Sequence, residues 1–172
     1  WIDAAANFPD FANSKENIAR DLALAKDAGF TDIVVDVRPT TGDVLFKTNL
    51  VDQVKFMYAW IGSNYTKVER TATWDYLQAF VDEARKQGLR IHAAINTFVG
   101  GNQIDGGTGL LYRDQSKAEW ATQMNMQVGI TSVMNTSEST KFFNPAHPEV
   151  QTFLCDLLKD LAGYDLDGIF LD

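Results

Sequence analysis

Four short apolar segments, separated by helical patterns, constrain the fold of this 172-residue chain more than any other feature. They cover residues 1–6, 33–37, 89–98 and 167–172. Amphipathic stretches lie between them, and Gly29, Gly88 and Gly163 follow the ends of these stretches, where helices commonly stop. Strands that alternate with helices pair in parallel through right-handed crossovers. The sequence therefore predicts an α/β fold, either a doubly wound open sheet or the first half of a (β/α)8 barrel.

Residues two apart in a strand point to the same face of the sheet. By this rule, each predicted strand has one apolar face and one face that carries polar side chains. Barrel enzymes build their sites at the carboxyl ends of the strands, so the polar residues that lie latest are expected to share a pocket. These are Asp36, Arg38, Asn96 and Asp172, with Asn7 at the rim and Asp3 and His92 deeper.

Several of these residues also have a structural interpretation. Asp36 and Arg38 are spaced to form a structural ion pair, and His92 is equally typical of a satisfied core histidine. Asp167 begins its strand at the opposite end and is expected to be structural. Cys155 lies in an apolar stripe at helical spacing, which predicts a buried core position.

Composition narrows the classes of function. The chain carries 15 Lys and Arg against 23 Asp and Glu, which gives a net charge of −8. Because binding to nucleic acid requires dense Lys and Arg, DNA or RNA is not expected as a partner. No apolar run approaches the roughly 20 residues of a membrane span. The two histidines, His92 and His147, lack metal-ligand spacing, so neither a protein metal site nor a cofactor is predicted.

Two long segments are expected to be irregular. Residues 40–72 are polar with scattered aromatics and predict one long loop. The glycines between positions 100 and 109 lack the spacing of a phosphate-binding loop, so they predict a flexible loop. Trp60, Trp74 and Tyr112, which are expected on loops, are candidate platforms for sugar stacking.

Four ordered sequence elements carry a resemblance to a known family. They are Asp32-Ile-Val-Val-Asp-Val-Arg-Pro39, Gly88-Leu-Arg-Ile-His-Ala-Ala-Ile-Asn96, Phe143-Asn-Pro-Ala-His-Pro-Glu-Val150 and Tyr164-Asp-Leu-Asp-Gly-Ile-Phe-Leu-Asp172. The series resembles the glycosyl hydrolase-like family 10 proteins, bacterial glycosidases expected to fold as (β/α)8 barrels. The resemblance spans residues 1–172 and implies about the first four βα units of such a barrel, with the C-terminal half absent.

The resemblance also implies residue roles. Asp172 takes the position of a catalytic carboxylate, while Asp36, Arg38, His92 and Asn96 match motifs that line the sugar site. Asn144 and His147 match a loop of the family, although a turn at Asn144 and a helix cap at His147 are the favoured interpretation. The family further implies a carbohydrate substrate and an extracytoplasmic protein, whether periplasmic, lipoprotein or secreted.

Glycoside hydrolysis uses two carboxyl groups that flank the scissile bond. Our hypothesis is that Asp172 acts as nucleophile or electrostatic stabiliser, that Arg38 keeps it ionised, and that Asp36 and Asn96 bind sugar hydroxyls. The second carboxyl is expected in the C-terminal half, which is needed to complete the site. The alternatives are a non-catalytic carbohydrate-binding barrel, a metal-dependent sugar enzyme, and a half-barrel binding module that dimerises.

Overall fold

The fold is built around three parallel strands, with helices and hairpins arranged on them. A computed structural model describes residues 1–128, 131–135 and 139–172, with side chains at 1–123 and 139–172. The helices are α1 (Ala4–Phe11), α2 (Lys15–Asp27), α3 (Tyr76–Gln87), α4 (Leu110–Arg113) and α5 (Pro148–Leu161). The strands are β1 (Asp32–Arg38), β2 (Phe56–Ile61), β3 (Asn64–Glu69), β4 (Arg90–Ile95), β5 (Val99–Asn102), β6 (Met124–Val128), β7 (Thr131–Asn135), β8 (Thr140–Phe142) and β9 (Gly168–Leu171).

The central sheet has the order β1-β4-β9, and both pairings are parallel. Residue Ile2 extends this order by one short parallel bridge to Val35 on the free side of β1. β2 with β3, β5 with β8, and β6 with β7 form separate antiparallel pairs. The α/β class predicted from the alternating pattern is confirmed, with a parallel centre and antiparallel additions.

The first predicted strand, residues 1–6, is wrong apart from Ile2. The Ile2 amide donates to the Val34 carbonyl at 2.7 Å, and α1 begins two residues later. The Asp3 carboxylate caps that helix by accepting a hydrogen bond from the Ala6 amide at 2.7 Å. An N-cap aspartate followed by alanines, the best helix formers, overrides the weak strand preference of this short apolar stretch.

Helices α2, α3 and α5 carry apolar faces into the core. In α3, Leu77, Phe80 and Ala84 are fully buried, and Gly88 ends the helix in the left-handed conformation with φ +66°. Leu77 and Phe80 each contribute about 1.5–3 kcal/mol through full burial. None of the helices in the described residues is long and apolar enough to cross a membrane.

The prediction that Cys155 lies in the core is wrong, because its side chain is exposed. The buried positions of α5 include Val150, Leu154, Leu157 and Leu161. Successive residues of an α-helix point about 100° apart, so the residue after Leu154 turns away from that stripe. The apolar neighbours of Cys155 in sequence therefore do not place its own side chain in the core.

Residues 40–72 are not one irregular loop, because they contain the β2–β3 hairpin. Ile61 pairs with Asn64 across a two-residue turn, and Gly62 takes φ +62° there. A positive φ of this kind is typical of the tight turns that join hairpin strands. The hairpin packs against α1, with Met57 and Ala59 buried on its inner side.

Apart from Gly106, the glycines between positions 100 and 109 lie in closely packed parts of the chain rather than in an open flexible loop. A Cβ atom on Gly100 would lie 2.2 Å from Leu111 Cδ1, and one on Gly101 would lie 2.2 Å from the Thr108 carbonyl oxygen. Gly109 approaches Gly100 and Gly101 similarly closely. Glycine is needed here because the chain passes close to itself.

Candidate functional site

A cleft of about 120 Å³ lies at the carboxyl end of the central sheet. Its lining residues are Trp1, Asp3, Ala5, Asp36, Pro39, Thr40, Met57, Ala94, Ile95, Asn96 and Asp172. The structure thus brings together three of the four polar residues expected to share a pocket, together with Asp3, which was expected deeper in it. Three carboxyl groups, contributed by separate parts of the chain, face the same small space.

Asp172 is held in place by its backbone. Its amide donates to the Ile95 carbonyl at 3.0 Å, and its carbonyl accepts from the Thr97 amide at 3.0 Å. These bonds attach the residue after β9 to the end of β4, while its side chain remains exposed. The backbone of Asp172 is therefore fixed at the cleft, and a ligand there can reach its carboxyl group.

Asn96 is anchored to the neighbouring strand. Its main-chain amide and its side-chain Nδ2 both donate to the Arg38 carbonyl, each at 3.0 Å. The side-chain oxygen of Asn96 is not used in this interaction. The residue therefore combines a rigid position at the cleft with an acceptor suited to a hydroxyl group.

Asp36 is the buried acid of the cleft, with 7% of its surface exposed. Burial raises the pKa of Asp36 to about 6, the negative charges of Asp3 and Asp172 add to this, and the Arg38 and Ala4 amides oppose it. A carboxyl group with a pKa near 6 exchanges its proton close to neutral pH. Asp36 can therefore donate or accept a hydrogen bond in the cleft.

Arg38 does not line the cleft, although simple alternation places it on the same face as Asp36. The pairing of β1 with β4 shifts register between Asp36 and Arg38, a bulge that changes which way the following side chain points. The Arg38 guanidinium is buried and donates to the main-chain carbonyls of Asn96, Thr97 and Val99. Burial lowers its pKa to about 10. Arg38 holds the backbone that follows β4.

His92 and Asn7 also lie outside the cleft lining. His92 Nε2 contacts Asp32 Oδ1 at 2.9 Å, near the amino end of the sheet. Asn7 lies on α1 and donates from Nδ2 to the Asp3 carbonyl at 2.8 Å. Both residues have structural contacts in this arrangement, and their predicted role in sugar binding stays a prediction.

The loop before α5 forms a turn and a helix cap, as the favoured interpretation of its sequence predicts. His147 Nδ1 accepts from the Glu149 amide at 3.2 Å and caps α5, which has Pro148 in its first turn. Asn144 Oδ1 accepts from the Ala146 amide at 3.0 Å. Asp167 is structural as predicted, because its carboxylate accepts from the Ile91 amide at 2.8 Å.

Of the three aromatic candidates for sugar stacking, Trp60 is the most accessible, with 68% of its surface exposed. The Arg70 guanidinium lies 5.0 Å and the Lys15 ammonium 5.5 Å from the Trp74 ring. The Lys141 ammonium lies 4.3 Å from the Tyr112 ring. Both of these rings therefore already have cationic neighbours.

Met57 is a cleft residue that the sequence interpretation missed. It lies on β2, inside the segment predicted to be a loop. The pattern that identifies it is local: two six-residue stretches rich in aromatic and β-branched residues, separated by Gly62-Ser63. Within the described residues, no group of three or more His, Cys, Asp or Glu side chains is placed to hold a metal ion.

The chain matches one protein-family model and a curated relative. A family model described as glycosyl hydrolase-like 10 matches residues 1–172. An S-layer-related protein from Niallia circulans is 30% identical over 178 residues. That alignment covers 100% of this chain but only 11% of the relative, so the chain spans a small part of that protein's length.

Several solved structures share the fold. An α-L-fucosidase isoenzyme from Paenibacillus thiaminolyticus superposes with a TM-score of 0.61 at 18% identity, covering 95% of this chain and 21% of that one. A cyclic α-maltosyl-(1→6)-maltose hydrolase from Arthrobacter globiformis gives 0.55 at 17% identity, covering 94% and 36%. A hypothetical protein from Ruminiclostridium thermocellum gives 0.58 at 15%, covering 94% and 72%. The two glycosidases are TIM-barrel proteins of which this chain covers a fragment.

Proposed function

The chain belongs to the glycosyl hydrolase-like 10 family, and from that membership we propose that its cleft is the sugar site of a glycoside hydrolase acting on a polysaccharide or other glycan. The observation that carries this proposal is the convergence of Asp3, Asp36 and Asp172 at the carboxyl end of a parallel sheet. Enzymes with barrel folds place their catalytic groups at that end of the strands. Paired carboxyl groups are the chemical requirement of glycoside hydrolysis.

In this proposal residues 1–172 form the N-terminal half of a (β/α)8 barrel. The supporting observation is the strand order, because Ile2, β1, β4 and β9 lie side by side in the order of the chain. A barrel pairs each strand with the next, whereas a doubly wound sheet reverses its order at a switch point. Strands of a C-terminal half would pair with β9 and complete the site.

The proposed chemistry assigns a role to each cleft residue. Asp172, which is exposed, acts as the nucleophile or as the electrostatic stabiliser of an oxocarbenium-like transition state. Asp36 and Asn96 bind sugar hydroxyls, and the partly protonated Asp36 can serve as donor or acceptor. The second carboxyl belongs to the C-terminal half, about 5–5.5 Å from Asp172 in a retaining enzyme or about 6.5–9.5 Å in an inverting one.

The proposal includes an extracytoplasmic location. The S-layer-related relative supports it, because that name describes a protein associated with a cell-surface layer. Localisation is tested by fractionating cells that express the full-length protein and detecting it in the cytoplasmic and surface fractions. Recovery in the cytoplasmic fraction alone would rule it out.

The decisive variant is Asp172→Asn in the full-length protein. We expect it to lower hydrolysis by at least about a thousandfold, because the amide cannot act as nucleophile or carry the stabilising charge. Release of reducing sugar from a panel of plant, host and cell-wall glycans measures the effect. Asp167→Asn is the matched control, since it removes a carboxylate from the opposite end of the same strand and should retain activity within a few-fold.

Unchanged turnover in Asp172→Asn would remove this residue from the mechanism. A wild-type protein that binds glycans without hydrolysing any of them would favour the non-catalytic carbohydrate-binding barrel instead. Affinity electrophoresis on the same glycan panel separates these two outcomes, since it detects binding whether or not hydrolysis occurs.

A further inference from the structure

A second and larger cavity, of about 820 Å³, shares no lining residue with the cleft. It lies between two parts of the long connection from β1 to α3: residues 47–55 before the β2–β3 hairpin and residues 70–75 after it. Three basic side chains line it, from Lys47, Lys55 and Arg70. We refer to it as the basic cavity.

Arg70 is held in the basic cavity by uncharged groups. Its guanidinium donates to the carbonyls of Ala72 and Trp74 and lies 5.0 Å from the Trp74 ring. Its Nε is buried without a hydrogen-bond partner, and no carboxylate within 4.0 Å pairs with it among the described residues. Partial burial lowers the pKa of Arg70, while the more distant carboxylate of Asp75 acts in the opposite direction.

The two lysines are also unpaired, although carboxylates line the same cavity. Neither Lys47 nor Lys55 forms an ion pair within the described part of the chain. Asp75 accepts from the Tyr164 hydroxyl, and Asp160 accepts from the Thr48 hydroxyl at 2.6 Å. The acids of the cavity are thus hydrogen-bonded to neutral donors, and among the described residues no carboxylate lies within 4.0 Å of any of the three cations.

We propose that the basic cavity binds an acidic sugar through its carboxylate or phosphate group. An oxyanion supplies the close ionic contact that Arg70 lacks among the described residues, and charge-assisted hydrogen bonds to such groups are the strong ones. The volume of about 820 Å³ exceeds what a bare ion needs, and Asn49, Gln53 and Thr73 supply uncharged polar groups for hydroxyls. The assignment to sugars rests on the proposed function, whereas the need for an anion does not.

The test is isothermal titration calorimetry of the full-length protein at low ionic strength. The probes are glucuronate, glucose 6-phosphate, neutral glucose and inorganic phosphate. We expect both acidic sugars to bind, glucose to bind at least about tenfold more weakly, and added salt to weaken the acidic sugars. Lys47→Gln and Lys55→Gln should each weaken binding by about fivefold, since each removes one attractive charge. These exposed positions avoid the folding risk of changing Arg70.

Lys86→Gln is the matched control, because it removes an exposed lysine near the other end of α3 and should leave affinity unchanged. The proposal is overturned if neither acidic sugar binds, if phosphate binds and the sugars do not, or if all three lysine variants behave alike. The Asp172→Asn variant separates hydrolysis in the cleft from binding in the basic cavity. It should abolish hydrolysis while retaining acidic-sugar binding, so failure of one proposal does not imply failure of the other.

Discussion

The two ends of the central sheet use aspartate in opposite ways. At the amino end, Asp32 contacts Arg90 at 2.7 Å and Asp167 contacts Arg85 at 2.7 Å. The hydrogen bond from Arg90 is the main cause that lowers the pKa of Asp32, whereas for Asp167 it is the hydrogen bond from the Ile91 amide, followed by Arg85. At the carboxyl end, Asp36 has no cation within 4.0 Å among the described residues, and burial raises its pKa to about 6.

The difference separates structural acids from candidate catalytic ones. The amino-end carboxylates tie neighbouring segments together, as when Asp167 accepts from the Ile91 amide at 2.8 Å. The carboxyl-end acids gather in a cleft, where Asp36 is buried without a cation, and burial of an unpaired carboxylate costs stability. Groups with a shifted pKa, as at Asp36, concentrate at functional sites, where the stability cost accompanies reactivity. The aspartates at the two ends of the same parallel sheet therefore differ in whether a cation lies beside them.

The largest expected effect is at Arg38, the cation that simple strand alternation places beside the cleft acids. Arg38→Met should lower the free energy of unfolding by about 3 to 5 kcal/mol, because three buried carbonyls lose their donor. Urea unfolding measures this, and Arg20→Met is the control, since its exposed ion pair should contribute less than about 1 kcal/mol. An Arg38→Met variant with normal stability but no hydrolysis would show that Arg38 acts in the cleft, which would contradict the proposed difference between the two ends of the sheet.

An intermediate effect of opposite sign is expected at Asp36. Its folded pKa of about 6 lies above its ordinary value of 3.8, so its contribution to stability is full below pH 4 and is lost as pH rises through 6. Asp36→Asn should therefore be more stable than wild type at pH 8, by about 2 to 3 kcal/mol. Urea unfolding at pH 8 and pH 4 checks this, and the difference should disappear at pH 4. A destabilised variant at pH 8 would show that Asp36 is structural.

The smallest effect is expected at Asp167, in the reverse direction. Its folded pKa is lowered, so its contribution is present above pH 4 and is lost as pH falls through the folded value. Asp167→Asn should have a lower urea midpoint than wild type at pH 7, and the two midpoints should converge below pH 4. Equal midpoints at pH 7 would mean that the ion pairs at the amino end are not stabilising. The aspartates at the two ends of the sheet would then differ only in position.

Much of the cleft could be predicted because its residues follow local rules. Alternation along β1 and β4 places Asp36 and Asn96 on the cleft side, and the last residue after β9 completes the group. The same rule fails at Arg38, because a bulge depends on how two strands pair and leaves no mark in one strand's sequence. The prediction that Arg38 serves Asp172 therefore lost its geometric basis.

The sequence by itself determined the alternation of strands and helices, the buried stripes of α3 and α5, and the identity of the acids at each strand end. These features depend on hydrophobic periodicity and on short-range capping, which act within a few residues. Only the tertiary structure decided which acids receive a cation. The partners of Asp32 and Asp167 lie at Arg90 and Arg85, distant in the chain, and Asp36 is left unpaired because Arg38 turns to the backbone. Charge pairing depends on distances in space, which the order of residues does not state.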